Sequence, residues 1–494
     1  MGNQVDIKSL DSNRVFYYFE EISKIPRGSF NEKAISEYLV EFAKSHGLEC
    51  RTDELFNVVI KKPATSGYEN APIVAIQGHT DMVCEKNKGV EHDFEKDAIK
   101  IIYDGDLIKA DRTTLGADNG VAVAMALAIL ESSNLSHPAI ESIFTSCEEV
   151  GMDGAMGLDI SDLKASIFLN IDSEDEGVFT VGCAGGAKGD LRLALEYQEL
   201  ENIGNYKTYC LSISGLMGGH SGIDINVGRG NSNKLLGRAL NNIKESGLNI
   251  YMSGISGGSK DNAIPREAEA IILIENTQDL VEKLNSKVNE FNAIFKDEYA
   301  NTDENLVLKL EELSGSSNKV FSDDVLNKVI GLLVMLPNGV QTMNTDIQGL
   351  VESSLNIGVV RMLEDQDMIE IVCAVRSGKS SKKLAIMEHV DLTARMLGAS
   401  IKFRGNYPAW EYNKNSKIRE ICKDVYKQVS GEEAKVEIIH AGLECGLFYE
   451  KMPTLDLISY GPNLHDIHTP DERASISSID RVYNFTLKLL EAIK

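Results

Sequence analysis

Four short apolar runs, each bounded by turn residues and each leading to a metal-binding residue type, constrain this chain more than any other feature. Ile73-Val74-Ala75-Ile76-Gln77-Gly78 leads to His79-Thr80-Asp81, Ser142 to Cys147 leads to Glu148-Glu149, Ile167 to Asn170 leads to Asp172, and Leu455 to Tyr460 leads to a loop carrying His468. Continuous apolar runs of this length suit strands covered on both faces, as in a parallel sheet flanked by helices. Helical spacing over residues 12–24 and 31–46, with Asn31 as the expected cap, and the Ala-rich stretch Val121 to Leu130 after Asn119-Gly120 supply those helices. The expectation is an α/β catalytic domain with a mainly parallel mixed sheet. Ligands in such sheets bind beyond the carboxyl ends of the strands, so the four terminal groups should converge at one edge, with Asp118 joining from the loop Gly116 to Gly120.

The texture changes near Gly182-Cys183-Ala184-Gly185-Gly186. The next two hundred or so residues alternate strand and helix patterns, which predicts an inserted α+β domain. Around Tyr407 to Trp410 the chain returns, giving a helix over 416–429, the strand Thr454 to Ser459 and a final helix from about Ser478. The expected division is residues 1–185 and 406–494 as one catalytic domain, with residues 186–405 inserted as a lid, substrate-binding or dimerisation domain.

Charge and cysteine usage narrow the setting. With 50 Lys plus Arg against 75 Asp plus Glu, the net charge of -25 repels phosphate backbones and anionic lipid, so neither nucleic acid nor membrane is an expected partner. The eight cysteines stand singly, most within apolar runs, as reduced buried thiols of a cytoplasmic protein do. Gly2, Asp6 and Lys8 do not make the basic and apolar sequence of a secretory signal. The longest uncharged run, around Val121 to Leu130, falls short of the roughly 18 apolar residues of a membrane span.

The local spacings carry the chemistry. Two His and three carboxylates drawn from five segments suit a pair of divalent ions with one carboxylate bridging them. In His79-x-Asp81 a period of two puts both side chains on one side of an extended segment, so Asp81 can orient the imidazole. In Glu148-Glu149 the neighbours point apart, so one can ligate while the other serves as general base. A lone His or an acidic pair is ordinarily bland; together, each after an apolar run, they point to a metal centre. His465 rivals His468 as a ligand on spacing alone. A carboxylate-rich site with two imidazoles admits zinc, manganese or cobalt.

Gly78-His79-Thr80-Asp81-Met82-Val83, Thr114 to Gly120, Cys147-Glu148-Glu149-Val150-Gly151-Met152-Asp153-Gly154-Ala155 and Asn170 to Glu174 resemble the co-catalytic zinc peptidases of the M20 group, and within it the aminoacyl-histidine dipeptidases. The likeness runs from Ile25-Pro26-Arg27 to His468-Thr469-Pro470-Asp471-Glu472. It implies His79, Asp118 and Asp172 around one zinc and Asp118 bridging to a second completed by Glu149 and His468. It also implies Glu148 as base and Asp81 orienting His79. The group usually places glycine where this chain has Arg112, a departure that puts the loop presenting Asp118 in question.

Gly218-Gly219-His220-Ser221-Gly222 sets a histidine in a glycine-rich turn, where its ring is free to reach a ligand. The resemblance makes His220 an oxyanion donor, in cis or from a partner subunit of a homodimer. It makes Asn262 and Arg376 the holders of the substrate's carboxylate end. Glu444, in Gly442-Leu443-Glu444-Cys445-Gly446, is expected to line the specificity pocket or bind the α-amino group, and Cys445 to be a packed thiol. The implied activity is metal-dependent hydrolysis of small unblocked dipeptides, Xaa-His among them. Its rivals are deacylation of N-acyl amino acids on the same scaffold and a non-catalytic metal- or peptide-binding module.

Overall fold

In the computed structural model, which describes residues 7–315 and 317–494, the four apolar runs become adjacent strands. An eight-stranded sheet runs in the order Glu49–Thr52, Val58–Lys62, Ile140–Thr145, Val74–His79, Ile167–Asn170, Asp456–Ser459, Val178–Cys183, Lys435–Ile439. Its centre is parallel: Val74–His79 pairs in that sense with Ile140–Thr145 and Ile167–Asn170, and Ile167–Asn170 with Asp456–Ser459. Glu49–Thr52 with Val58–Lys62, Val58–Lys62 with Ile140–Thr145 and Asp456–Ser459 with Val178–Cys183 pair antiparallel, which makes the sheet mixed. Val74–His79 and Ile140–Thr145 are buried at every position, as strands covered on both faces must be. The helix Ala117–Glu131 is buried nearly throughout because it is apolar all round, and it shares a core with Phe16 and Phe19 of the helix Asn13–Ser23. Part of the N-terminal stretch read for a signal, residues 1–6, lies outside the described residues.

A small four-stranded sheet, in the order Leu464–His465, Arg473–Ser475, Leu107–Ala110, Ile101–Asp104, belongs to the same unit. Its terminal hairpin presents residues 466–472, with Asp466 and His468 both at positive φ. An Asp466–Arg473 ion pair and a bond of 2.7 Å from Thr469 Oγ1 to the Asp466 carbonyl brace that turn.

Contacts divide the chain into two compact units: residues up to Cys183 with Tyr412–Ile438 and Leu443–Lys494, and Ala184–Glu411 with Ile439–Gly442. The second unit thus takes in residues 184–185, 406–411 and 439–442 besides the segment expected for the insert. The cause is pairing: Ser400–Tyr407 stays zipped to Gly185–Ala194 as far as Tyr407 opposite Gly186, and Ala184 N–H bonds the carbonyls of Ile439 and Ala441.

The second unit is built on an antiparallel sheet in the order Val307–Leu313, Tyr206–Ser214, Ala268–Glu275, Tyr251–Gly257, Val351–Leu363, Met368–Ser377, Gly185–Ala194, Ser400–Tyr407, with Gly339–Met343 beside Val351–Leu363. Leu236, Phe295, Leu333 and Val390 of four helices, Ser232–Glu245, Gln278–Glu298, Asp323–Met335 and Ser380–Met396, share its core.

Three expectations need correction. Asn31 caps nothing: Glu32 occupies the N-cap of Lys33–Ser45 and spends its carboxylate on Cys147 N and Sγ instead, at 3.0 and 3.1 Å. Cys84 is exposed, unlike the buried Cys183, Cys373, Cys422 and Cys445. The long strand Val351–Leu363 was not expected, because Ser353, Ser354 and Asn356 interrupt its apolar pattern although all three are buried. Among the described residues no helix is long and apolar enough to cross a membrane.

Candidate metal centre and substrate site

Because the central strands run parallel, their carboxyl ends deliver side chains to one edge. His79 closes its strand with Nε2 lying 3.2 Å from Asp118 Oδ1 and 3.5 Å from Asp172 Oδ1. His468 Nε2 lies 3.1 Å from Asp118 Oδ2 and 3.1 Å from Glu149 Oε2. Asp118 therefore turns one oxygen to each histidine. Two groups of potential ligand atoms, His79/Asp118/Asp172 and Asp118/Glu149/His468, share it, each with its atoms within 4.8 Å of one another. A third group joins His79 to Glu148 and Glu149. His465 sits on an exposed strand position and in none of these groups, so of the two rivals it is His468 that joins the cluster.

Asp81 is fully buried and ties the cluster together. His79 Nδ1 approaches its carbonyl oxygen at 3.1 Å and its Oδ1 at 3.4 Å, which leaves Nε2 to face the carboxylates. Its two oxygens accept the Glu148 and Glu149 N–H groups at 3.0 and 3.3 Å, and Ser29 Oγ donates to Oδ2 at 2.8 Å. The turn that presents Glu148 and Glu149 is thereby fixed to the strand that ends in His79.

The electrostatics record a surplus of negative charge. Asp118, Asp172 and Glu149 pair with the two histidines and with no lysine or arginine among the described residues. Hydrogen bonds to Asp118 and Glu149 raise His468 to about 10. Burial opposes a charge on His79, yet Asp172, Asp118 and Asp81 hold its pKa well above the ordinary value. Burial pushes Glu148 well up, and Asp172, Glu444 and Glu149 add to the rise. Glu149 Oε1 is buried without a hydrogen-bond partner. Oxygen and imidazole donors, an orphaned carboxylate oxygen and histidines forced toward protonation fit divalent cations at this point.

Close backbone approach makes this convergence possible. A Cβ on Gly78 would collide with Asn119 Oδ1 and lie 2.7 Å from Ala122 Cβ. Asn119 in turn accepts from His79 N–H at 3.3 Å and donates to the Ile171 carbonyl at 2.6 Å, joining the strand ends that carry His79 and Asp172. Arg112 adopts φ +63°, the left-handed conformation that favours glycine, and its exposed side chain reaches Asp111 at 3.4 Å. The departure at this position therefore leaves the Asp118 loop intact.

Glu444 is fully buried, with Oε2 accepting from Gln77 Nε2 at 2.5 Å and Thr145 Oγ1 at 2.7 Å, and Oε1 buried and unbonded. Burial pushes its pKa up to about 8. It lies beneath the strand ends, closed off from solvent, and offers no surface to a substrate in this structure. Cys445 is buried too, and burial drives its thiol pKa well up, as for a packed thiol rather than a nucleophile.

In the second unit, His220 pairs with Ala263 in a two-residue ladder, and Asn262 O accepts Ser221 N–H at 2.8 Å, so the structure brings the His220 turn beside exposed Asn262. His220 Nδ1 accepts N–H bonds from Gly222 and Ile223 at 3.2 and 3.1 Å. The ring proton of the neutral imidazole is therefore on Nε2, which becomes a donor. Arg376 donates from Nη1 to Tyr407 OH at 3.2 Å, and its Nε is buried without a partner. Its charge reaches both His220 and His440: burial first, then Arg376, lowers each, His440 to about 4. His440 Nε2 meets Ser354 Oγ at 2.8 Å.

Three supporting residues went unassigned in the sequence. Glu472 binds the loop bearing Asp118. Buried Arg27 donates to the carbonyls of Thr80 and Gly116 at 3.0 and 2.6 Å. Buried Asp303 accepts Met217 and Gly230 N–H, both at 2.8 Å, closing the loop that carries His220. Arg27 and Glu472 stand inside the motif segments quoted above; Asp303 has no local signal.

A parallel sheet edge bearing two imidazoles, three carboxylates that face them and an uncommitted glutamate is the architecture of a metal-dependent hydrolase. The chain belongs to peptidase family M20/M25/M40, whose profile matches residues 75–492. It is 39% identical over 489 residues, 99% of each chain, to the cytosol non-specific dipeptidase of Escherichia coli (strain K12). It is similar to the crystal structure of aminoacylhistidine dipeptidase from Vibrio alginolyticus, at a TM-score of 0.91 and 38% identity over 99% of this chain and 98% of that one. The aminopeptidase PepT of Bacillus cereus shares the fold, at a TM-score of 0.56 and 15% identity over 98% of this chain and 99% of that one.

Proposed function

We propose that this chain is a dipeptidase that uses two divalent metal ions, zinc first among them, to hydrolyse unblocked dipeptides, Xaa-His included. The observation that carries the reading is Asp118, whose two oxygens face two histidines, each of which also faces a further carboxylate. His79, Asp118 and Asp172 would hold one ion, and Asp118, Glu149 and His468 the other. When bound, the ions supply charge that polarises the scissile carbonyl and acidifies the attacking water.

The chain's own residues do the rest. Glu148 ligates neither ion; it takes the proton of the attacking water and passes it to the leaving amine, a task suited to a carboxylate whose pKa is raised by burial. Asp81 holds the His79 ring and the Glu148 backbone in one frame. In the second unit, Arg376 and Asn262 receive the substrate's terminal carboxylate, a planar anion that suits a guanidinium with no carboxylate partner among the described residues. His220 donates from Nε2 to the carbonyl oxygen as it gains charge, from the same chain or from the second copy of a homodimer. The family relatives and the acidic surface support a cytoplasmic setting.

The test is a panel of unblocked dipeptides set beside N-acyl amino acids, run on chelated and on metal-restored protein. Cleavage of the dipeptides only when metal is restored is expected. Preference for the N-acyl compounds would replace the reading with amidohydrolysis, and no turnover of either would leave a binding module.

A further inference from the structure

The bridging arrangement requires that Asp118 be held at a fixed height between His79 and His468, and its side chain alone does not achieve this. Asp118 and Asn119 break the helical path within Ala117–Glu131, with φ/ψ of -81°/107° and -114°/29°, so the backbone N–H groups of residues 115–118 lie in a non-helical stretch ahead of the regular helix and need acceptors from elsewhere, and Gly116 has no side chain to supply one. Glu472 supplies them from the other end of the chain. Its Oε2 accepts Leu115 N–H at 2.7 Å and Gly116 N–H at 3.0 Å, and its Oε1 accepts Ala117 N–H at 2.8 Å and Asp118 N–H at 3.3 Å. One carboxylate, only 2% exposed, thus engages four consecutive N–H groups. From the opposite side, Arg27 holds the Gly116 carbonyl. Glu472 also sits in the turn that carries His468, whose Nε2 lies 3.1 Å from Asp118 Oδ2.

We propose that Glu472 is a positioning residue that sets Asp118 between the two metal positions, acting through the backbone of residues 115–118 and touching neither metal nor substrate. A single turn then fixes both a ligand of the second position and the bridge to it. This inference rests on the two-metal reading given above.

The experiment measures metal content per chain after dialysis, and the affinity of each equivalent by competition against a chromophoric chelator, for wild type, Glu472→Gln, Glu472→Asp and the control Glu176→Gln. Glu472→Gln replaces one acceptor oxygen by an N–H2 group, so two backbone N–H groups face a donor. Its second equivalent is expected to bind roughly ten- to a hundredfold more weakly than in wild type, the size of effect that supporting residues have at metal sites. Its kcat at stoichiometric metal should fall, with KM little changed, and should recover in part with excess metal, which a merely structural lesion would not do. Glu472→Asp keeps the charge but is one methylene shorter and should fall between the two. Glu176→Gln, which removes an ion pair with Arg481, should keep both equivalents at wild-type affinity.

Wild-type affinity for both equivalents together with wild-type kcat in Glu472→Gln would overturn the inference, and so would a loss of kcat that excess metal leaves untouched while both ions stay bound. If Glu472→Gln does not fold, Glu472→Asp decides in the same way, since unchanged affinity and kcat there would also overturn it. Fewer than two equivalents in wild type would instead defeat the two-metal reading.

Discussion

Histidine is put to opposite uses in the two units. In the first, His79 and His468 lie among carboxylates that drive their pKa values up, His468 to about 10. In the second, His220 and His440 are desolvated beside Arg376, and both are held down, His440 to about 4. The first cluster has anionic groups in surplus and suits cations. Among the described residues, the second has a guanidinium without a carboxylate partner, and its rings lie in hydrogen bonds to backbone N–H groups and a hydroxyl rather than to carboxylates, which suits an anion and a carbonyl. The sign of the neighbouring charge, more than residue type, assigns the chemistry.

The largest effect should come from removing metal. Chelation is expected to abolish dipeptide hydrolysis and to lower the melting temperature of the first unit, because three carboxylates then repel one another; metal addition should restore both. Activity that survives exhaustive chelation would break the cation half of the comparison. Glu148→Gln comes next. It should lower kcat by about a hundred- to ten-thousandfold while metal content stays at the wild-type level, read by turnover and elemental analysis together.

For the anion half, Arg376→Ala should lower kcat/KM for dipeptides by roughly ten- to a hundredfold, the worth of a charge-assisted hydrogen bond. The same variant should treat a dipeptide amide much as wild type does. Equal losses on acid and amide would remove the carboxylate from the account.

The smallest effect is on stability. His440 has its pKa lowered in the folded state from 6.5 to about 4, so the unfolded chain binds the extra proton first as pH falls. Stability should therefore drop between pH 6.5 and 4, by about 3 kcal/mol in full. Denaturant unfolding of His440→Asn against wild type across that range should show this part of the slope disappear.

Much of the first cluster was legible in the sequence because most of its members follow apolar runs that form strands, and parallel strands bring their ends together. His79, Glu149, Asp172 and His468 could be found in this way, and Asp118 from its glycine-bounded loop. What holds them was not legible. Glu472 meets Ala117 across 355 positions, and Asp303 meets Met217 across 86, through backbone N–H groups that leave no mark on side-chain pattern. Glu444 was expected at the substrate, but the polar side chains of Gln77 and Thr145 hold it inward, and sequence does not distinguish a buried acid from an exposed one. In the second unit the turn around His220 stood out by its glycines, whereas His440 comes close to Arg376 and His220 only through residues 439–442, which return to that unit after the chain has left it.

Anomalous X-ray diffraction from crystals grown with zinc or manganese addresses the central claim most directly. Two peaks are predicted, one among His79, Asp118 and Asp172 and one among Asp118, Glu149 and His468, with Asp118 common to both. A single peak, or two peaks that share no ligand, would contradict it.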